Sequence, residues 1–477
     1  MTGRYLVFGA SGYIGSNLVP FLRHYPVTVR AAARNLEVLR SRGWEGVELV
    51  QADALDSGSL EHSLAGVDVA FYLVHSMAAG RRFSELDLEA AHNFAAAAAA
   101  AGVGRIVYLG GLVPEEPSGE HILSRRDTGD ILRGGSVPVT ELRAGIIIGP
   151  GSAAFEVMRD LALNLPMMIT PRWVRAKSPP IALQNLLAYL LGVARSPAAA
   201  GKIYDAGGPQ EVSYEDMMRL VAELAGKPAP RIVPVPVLSP GLSSYWLGLV
   251  TAVPPDIARA LVGGLKHDFR ADDAALRALV PQQLLTVREA IAAAYAAEQS
   301  HCTQARWTEG AFDQRGLRHD VAFYAKQASG SALSTAGPAA VWAQIIRIGG
   351  NNRYYYMNGL WWLRELMDWL VGGAGFSRGR RDPDDLRLGD VIDYWTVIGM
   401  EPEHHLTLHF GMKAPGAGIL EFDLKPLQDG GTDLTITAYW HPRGVWGLLY
   451  WYTLVPAHLF LFRGWTRALV RRAEAAG

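Results

Sequence analysis

Gly9, Gly12 and Gly15 stand three residues apart, at a spacing that lets bare backbone N–H groups and a helix N-terminus grip a diphosphate. The apolar run 5–8 precedes them and an amphipathic stretch, 13–23, follows, which sets the trio on a strand-to-helix turn. A side chain there would hold the phosphates off the main chain. The residues carrying this expectation are Gly9, Ser11, Gly12, Tyr13, Ile14 and Gly15. Beyond the second strand candidate, where an acid would hold the ribose hydroxyls of NAD, the chain reads Arg30-Ala31-Ala32-Ala33-Arg34. A guanidinium pairs with a 2′-phosphate in fork geometry, so this stretch, Arg34 at its end, points to NADP, with NAD the alternative.

These residues need a scaffold, and the first 150 residues supply a pattern for one. Strand candidates at 5–8, 27–31, 47–51, 69–74, 105–109 and 139–142 alternate with helical stretches, including the alanine-rich 86–101. Such alternation predicts an α/β fold, a doubly wound parallel sheet with helices on both faces. Residues 151–300 are more mixed and are expected to hold a substrate lobe, with helices at 214–225 and toward 191. Met167, Met168 and Trp173 there would suit either an apolar pocket wall or ordinary packing. Residues 301–314 are polar and read as a linker.

The glycine turn, Asp53 in QADALD, the stretch Arg105-Ile-Val-Tyr-Leu-Gly-Gly and the stretch Thr140-Glu-Leu-Arg-Ala-Gly-Ile-Ile-Ile-Gly-Pro together resemble the extended and atypical short-chain dehydrogenases/reductases, a group that includes complex-I-subunit-like NAD(P)-binding proteins. The resemblance covers residues 1–300. It implies that Asp53, with Ala54 beside it, holds the adenine edge. It also implies that Leu73, Val74 and His75 run along the adenosine ribose and that the segment Ala144, Gly145, Ile146 and Ile147 borders the nicotinamide, with Gly110 a further cofactor-binding candidate. One departure is chemical. Where active members carry Tyr-x-x-x-Lys, alignment puts His121 on the tyrosine and Arg125 on the lysine, and the family's serine falls on Gly110 or Gly111. A histidine moves protons near neutrality, so His121 is the proton-donor candidate and Arg125 the ribose partner. Tyr108 lies in an apolar strand and is expected to pack.

Beyond residue 314 the pattern changes to strands at 320–327, 391–397, 406–412, 418–424 and 433–440, with helices at 338–348 and 448–473. Period-two alternation, as in Leu406, Leu408 and Phe410 against Thr407, His409 and Gly411, predicts an antiparallel sheet with one buried face. The stretches Ala340–Gly350, Leu360–Arg364, Leu388–Trp395 and Trp446–Tyr452 make residues 315–477 similar to START and polyketide-cyclase helix-grip domains, a type seen fused behind atypical short-chain dehydrogenases. Its aromatic density fits a small hydrophobic substrate or lipid. His404, His405 and His409 sit on a strand at a spacing too wide for one ion, so no metal is expected.

Composition sets the remaining bounds. With 45 basic and 46 acidic side chains, the 477 residues carry no electrostatic footprint for nucleic acid. The single cysteine, Cys302, excludes an internal disulfide framework and suits a reducing, cytoplasmic compartment. No basic-then-apolar leader opens the chain. The apolar run 445–462 contains Pro456 and His458 and is short for a span, which leaves a packed helix or a peripheral contact at the inner face of a membrane. The expectation is an NADP-dependent oxidoreductase passing hydride to a hydrophobic carbonyl, enone or quinone. A non-catalytic NADP-binding sensor or lipid-binding protein, and a membrane-surface assembly factor, are the alternatives. Oligomeric state has no signature in the sequence.

Overall fold

The computed structural model describes residues 3–40, 42–74, 83–114, 119–235, 268–299, 322, 325–373, 382 and 384–476. The chain divides into two compact units, residues 1–249 with 253–308 and residues 250–252 with 309–477. The expected linker 301–314 and Cys302 lie outside the described residues.

In the first unit, strands β1 (Arg4–Phe8), β2 (Thr28–Ala33), β3 (Glu48–Gln51), β4 (Val69–Tyr72), β5 (Arg105–Gly111) and β6 (Val139–Ala144) alternate with helices α1 (Tyr13–Leu22), α2 (Leu36–Arg40), α3 (Ser57–Leu64), α4 (Phe83–Ala100) and α5 (Glu120–Arg133). Then follow β7 (Ile147–Ile148), α6 (Ala153–Asn164), β8 (Met167–Pro171), β9 (Lys177–Ser178), β10 (Ile181–Ala182), α7 (Leu183–Arg195), β11 (Ile203–Ala206), β12 (Val212–Ser213), α8 (Tyr214–Leu224), β13 (Arg231–Val235), α9 (Ala274–Leu279) and α10 (Val287–Gln299).

Seven strands form one parallel sheet in the order β11-β6-β5-β4-β1-β2-β3. The chain reverses direction across the sheet between β1 and β4, whose registers place Val7 opposite both Ala31 and Phe71. A ligand crevice in a doubly wound sheet opens at such a reversal, beyond the carboxyl ends of the strands. The strands are mostly apolar because both faces are covered, with the exceptions, Arg30 of β2 and Glu141 of β6, paired where they are buried. Leu6 and Phe8 pack with Tyr72, Phe94 and the alanines of α4 on one side. Tyr5 and Val7 pack with Leu18, Leu22 and Leu190 on the other. Alanine at 90, 91, 97 and 98 brings α4 close to the sheet while keeping high helix propensity.

The second unit contains β14 (Lys326–Ser334), α11 (Pro338–Ile345), α12 (Asn358–Leu370), β15 (Val391–Ile392), β16 (Trp395–Glu401), β17 (His405–Phe410), β18 (Gly416–Pro426), β19 (Thr432–Pro442) and α13 (Gly444–Ala476). The six strands make one sheet, β14-β19-β18-β17-β16-β15, antiparallel throughout. Leu406, Leu408, Leu420, Phe422, Leu434 and Ile436 face Trp465 and Leu469 of α13.

Four elements differ from the sequence expectation. The first strand of this sheet runs later, Lys326–Ser334 rather than 320–327, because its alternation is carried by Ala and Ser instead of large apolar residues. The segment 391–397 is two strands, broken where Asp393 turns at φ 55° with Tyr394. Helix α12 had no counterpart in the sequence reading, and α11 ends three residues short of the expected 348.

Candidate functional site

The crevice beyond β1 and β4 is built from the glycine turn. Gly9 adopts φ 91°, which favours glycine, and a Cβ there would lie 3.1 Å from the Leu73 carbonyl carbon and 3.3 Å from Val74 Cγ2. The turn is pinned by Gly9 and Ala10 N–H groups, both donating to the Ala32 carbonyl at 3.0 Å. Ser11 and Gly12 are exposed. Gly12 caps α1 with extended backbone and no side chain bonded to the helix end, and no acid stands in the first turn. The first-turn N–H groups, Tyr13 and Ile14 among them, therefore point out of the helix uncapped, with the positive end of its dipole.

Gly15 is buried: its Cβ would fall 2.4 Å from the Gly9 carbonyl oxygen and 2.7 Å from Ala10 Cα. Its role is close packing of α1 on the turn rather than ligand contact. The Tyr13 side chain turns away from the cradle, its hydroxyl 2.6 Å from where a Gly149 Cβ would stand, and burial pushes that hydroxyl up. Tyr13 thus offers its backbone alone, and Ile14 packs against the α1 core.

Arg34 and Arg30 separate cleanly. Arg34 follows β2, is exposed, and has no ion pair among the described residues, while its carbonyl accepts from Gln51 Nε2 at 3.1 Å. Arg30 is buried inside β2 and donates to the carbonyls of Ser63 at 2.7 Å and Ala65 at 2.9 Å, with Glu48 at 2.9 Å. It satisfies the open C-terminal carbonyls of α3 and is removed from the phosphate reading.

Asp53, after β3, is half-buried and uses Oδ1 to accept the Leu55 N–H at 3.0 Å. Ala54 is buried in the core, with its carbonyl taken by Asn93 at 3.1 Å, so it supports the loop without facing the crevice. Leu73 and Val74 line the crevice beside Gly9; His75 lies outside the described residues.

Gly110 also changes role. A Cβ there would meet Glu141 Oε1 at 2.9 Å, and one on Gly129 would meet Oε2 at 2.8 Å. Both glycines make room for Glu141, a fully buried carboxylate paired with Arg133 of α5 and, at 2.8 Å, with Arg143. That buried pair joins β6 to α5 and so fixes the helix bearing His121 and Arg125.

Within α5, Arg125 reaches the end of β5, donating to the Leu109 carbonyl, with Nε 3.4 Å from a Gly111 Cβ position. His121, half-buried, stands one turn earlier on the same helix face. The Tyr108 hydroxyl donates to the Arg125 carbonyl at 2.9 Å and burial raises its pKa, so Tyr108 packs and orients α5. At the end of β6 Ala144 is buried, as is Ile146 just beyond it, and Gly145 sits where a Cβ would touch Leu112 Cδ1 at 3.1 Å and Ser178 Oγ at 3.2 Å. In the second lobe Met168 is core, Met167 is exposed, and the Trp173 side chain lies outside the described residues.

Among the described residues no group of His, Cys, Asp and Glu is placed to hold a metal. His405 instead meets Asp423 at 2.6 Å and Thr407 Oγ1 at 2.6 Å, and the carboxylate raises its pKa.

Residues 1–123 match the model of the NmrA-like family, and residues 323–465 match a family described as protein of unknown function, DUF2867. Among curated proteins the chain is 29% identical over 266 residues to a (4-alkanoyl-5-oxo-2,5-dihydrofuran-3-yl)methyl phosphate reductase of Streptomyces griseus, across 54% of this chain and 84% of that one. It is 23% identical over 226 residues to the mitochondrial NADH dehydrogenase (ubiquinone) 1 alpha subcomplex subunit 9 of Dictyostelium discoideum, across 46% of this chain and 62% of that one. An NADPH-dependent quinone oxidoreductase of Escherichia coli, solved with NADPH, superposes with TM-score 0.51 at 22% identity, covering 61% of this chain and 99% of that one. A Citrobacter sp. triphenylmethane reductase solved with NADP(H) gives TM-score 0.51 at 21% identity, with 61% and 99% covered.

Proposed function

Because the first unit is an NmrA-like Rossmann domain with atypical short-chain dehydrogenase relatives and a second domain fused behind it, we propose that it binds NADPH and reduces a small hydrophobic carbonyl, enone or quinone. The observation that carries the cofactor assignment is the bare, uncapped start of α1 beside an exposed Arg34 that has no ion-pair partner among the described residues. A diphosphate would take the open N–H groups of Ser11, Tyr13 and Ile14, and Arg34 a 2′-phosphate. Leu73 and Val74 would flank the ribose, and the free Asp53 Oδ2 the adenine edge.

When bound, the nicotinamide supplies a hydride. The chain's contribution is to orient and to move a proton. Buried Leu112 and Ile146, with Gly145 between them, would give the nicotinamide an apolar border that keeps water away. Arg125, held by the Leu109 carbonyl and by α5, places fixed positive charge at the end of β5, where an oxyanion or a ribose hydroxyl is stabilised. His121, a turn away, would supply the proton to the substrate oxyanion that hydride addition leaves.

Purified full chain should oxidise NADPH in the presence of small quinones or enones, and His121→Phe should slow turnover at saturating NADPH while leaving cofactor affinity unchanged. NADPH that stays bound and unreacted across a broad carbonyl and quinone panel would overturn the reductase reading and leave a cofactor-binding sensor. That second reading has an observation of its own: Arg125 is already committed to the Leu109 carbonyl.

A further inference from the structure

Helix α12 is inside out. Its buried positions include Glu365, paired with Arg353 at 3.0 Å, and Asp368, which accepts the Lys413 N–H at 2.6 Å. Its outward positions are Trp362, Leu363, Met367, Trp369 and Leu370, between 45% and 69% exposed. Ordinary surface helices reverse that arrangement.

The first half of α13 is apolar on its outward side as well, over buried positions, Leu448 and Trp451, that are also apolar. Val445, Leu449, Tyr452, Pro456 and Leu459 recur every three or four residues along one exposed stripe, with Trp446 and Phe460 beside it at 75% and 66% exposed. Continued along the helix, the stripe turns to arginine at Arg463 and Arg467, both exposed and without a carboxylate partner among the described residues. Arg364 of α12 joins the two helices, donating to Tyr450 Oη at 2.8 Å.

We infer that this face of the second unit docks on an anionic lipid bilayer, with the apolar side chains of α12 and α13 inserted at the headgroup boundary and Arg463 and Arg467 on lipid phosphates. Three observations select that occupant. The chemistry grades along α13 from aromatic and aliphatic to basic, as it must where acyl chains give way to phosphate. Trp362, Trp369 and Trp446 present indole rings, the side chains suited to a polar–apolar boundary. No exposed carboxylate among the described residues of either stripe stands ready to meet the two arginines, so a self-associating copy would leave them unpaired.

Spanning is excluded by how α13 is tied down. The helix is long and apolar enough to cross a membrane by composition. Its later half, however, buries Trp465, Leu469 and Ala473 in the sheet's core, and its start is held by Trp440 Nε1 donating to the Gly447 carbonyl at 3.0 Å. It lies in the interface plane.

Flotation of the full chain with vesicles of phosphatidylcholine alone, or of phosphatidylcholine and phosphatidylglycerol at about 7:3, tests this. The protein should float with the anionic vesicles at least ten-fold more than with the neutral ones. The double variant Trp446→Glu/Leu459→Glu should abolish flotation. Arg463→Glu/Arg467→Glu should remove the anionic preference. All these positions are exposed, so thermal melts should stay within about 2 °C of wild type, roughly what a change under 1 kcal/mol produces. Absence of flotation by folded wild type overturns the inference, as does a stable dimer that the Trp446 variant dissociates without any vesicle binding.

Discussion

Replacing Gly12 by aspartate should strengthen the fold and abolish cofactor binding together. Gly12 is the N-cap of α1 with φ −74° and ψ 170°, the extended geometry a capping side chain requires, and a Cβ there meets only the Gly9 carbonyl oxygen at 3.3 Å. The new carboxylate can accept the first-turn N–H groups, worth a few tenths of a kcal/mol over glycine, and gains about 0.3–1 kcal/mol from the helix dipole. Crowding of the new Cβ against the Gly9 carbonyl oxygen takes back part of this, leaving a net stabilisation of up to about 0.5 kcal/mol, or about 1–2 °C in the melting temperature of the unliganded protein. Those same N–H groups are the ones a diphosphate needs. Like charges about 4–5 Å apart at an effective dielectric near 20 repel by about 3–4 kcal/mol, and solvent screening brings this to about 2 kcal/mol. Losing the N–H contacts adds a comparable amount, so NADPH affinity should fall at least 100-fold. The assay is a pair of thermal melts, with and without NADPH, for wild type and Gly12→Asp. Wild type should be stabilised by NADPH and the variant should not, while the unliganded variant melts at or above wild type. A variant that still gains stability from NADPH would refute the assignment of these N–H groups to the diphosphate.

Gly15→Ala should behave oppositely, because its methyl meets backbone at 2.4 and 2.7 Å that cannot yield. The unliganded protein should lose about 3 kcal/mol in urea unfolding. In the second unit, burial lowers the His458 pKa to about 4. Its ordinary value is near 6.5, so the unfolded chain takes up a proton between those limits and the folded chain does not. Stability present above pH 6.5 is therefore lost as pH falls toward 4, by about 2–3 kcal/mol, and His458→Phe should flatten that part of the pH profile of urea midpoints. His405 has the reverse sign. Asp423 raises its pKa, so the pair stabilises fully below about pH 6.5 and fades as pH rises through the raised value, and His405→Asn should destabilise acidic samples more than alkaline ones, by under about 1 kcal/mol for this partly exposed pair.

The parallel sheet was legible because its strands are short, mostly apolar segments alternating with helical stretches, and β1 through β6 fall within a few residues of where the sequence puts them. The glycine spacing located the crevice, but sequence could not divide the labour of the trio: Gly9 turns, Gly12 is open, and Gly15 packs. Arg30 and Arg34 look alike in sequence, and only the third dimension shows that Arg30 faces the carboxyl end of α3. Gly110 misled for the same reason, since the group it accommodates, Glu141, belongs to the neighbouring strand. Helix α12 escaped notice because its charges are buried through specific partners and its apolar side chains face out, which reverses the periodicity that marks a surface helix.

Isothermal titration of the full chain with NADPH and with NADH, repeated on Arg34→Gln, tests the central assignment most directly. Wild type should bind NADPH at least ten-fold more tightly than NADH, and the preference should disappear in the variant with NADH affinity unchanged. Equal affinity for the two nucleotides in wild type, or no heat from either, would contradict it.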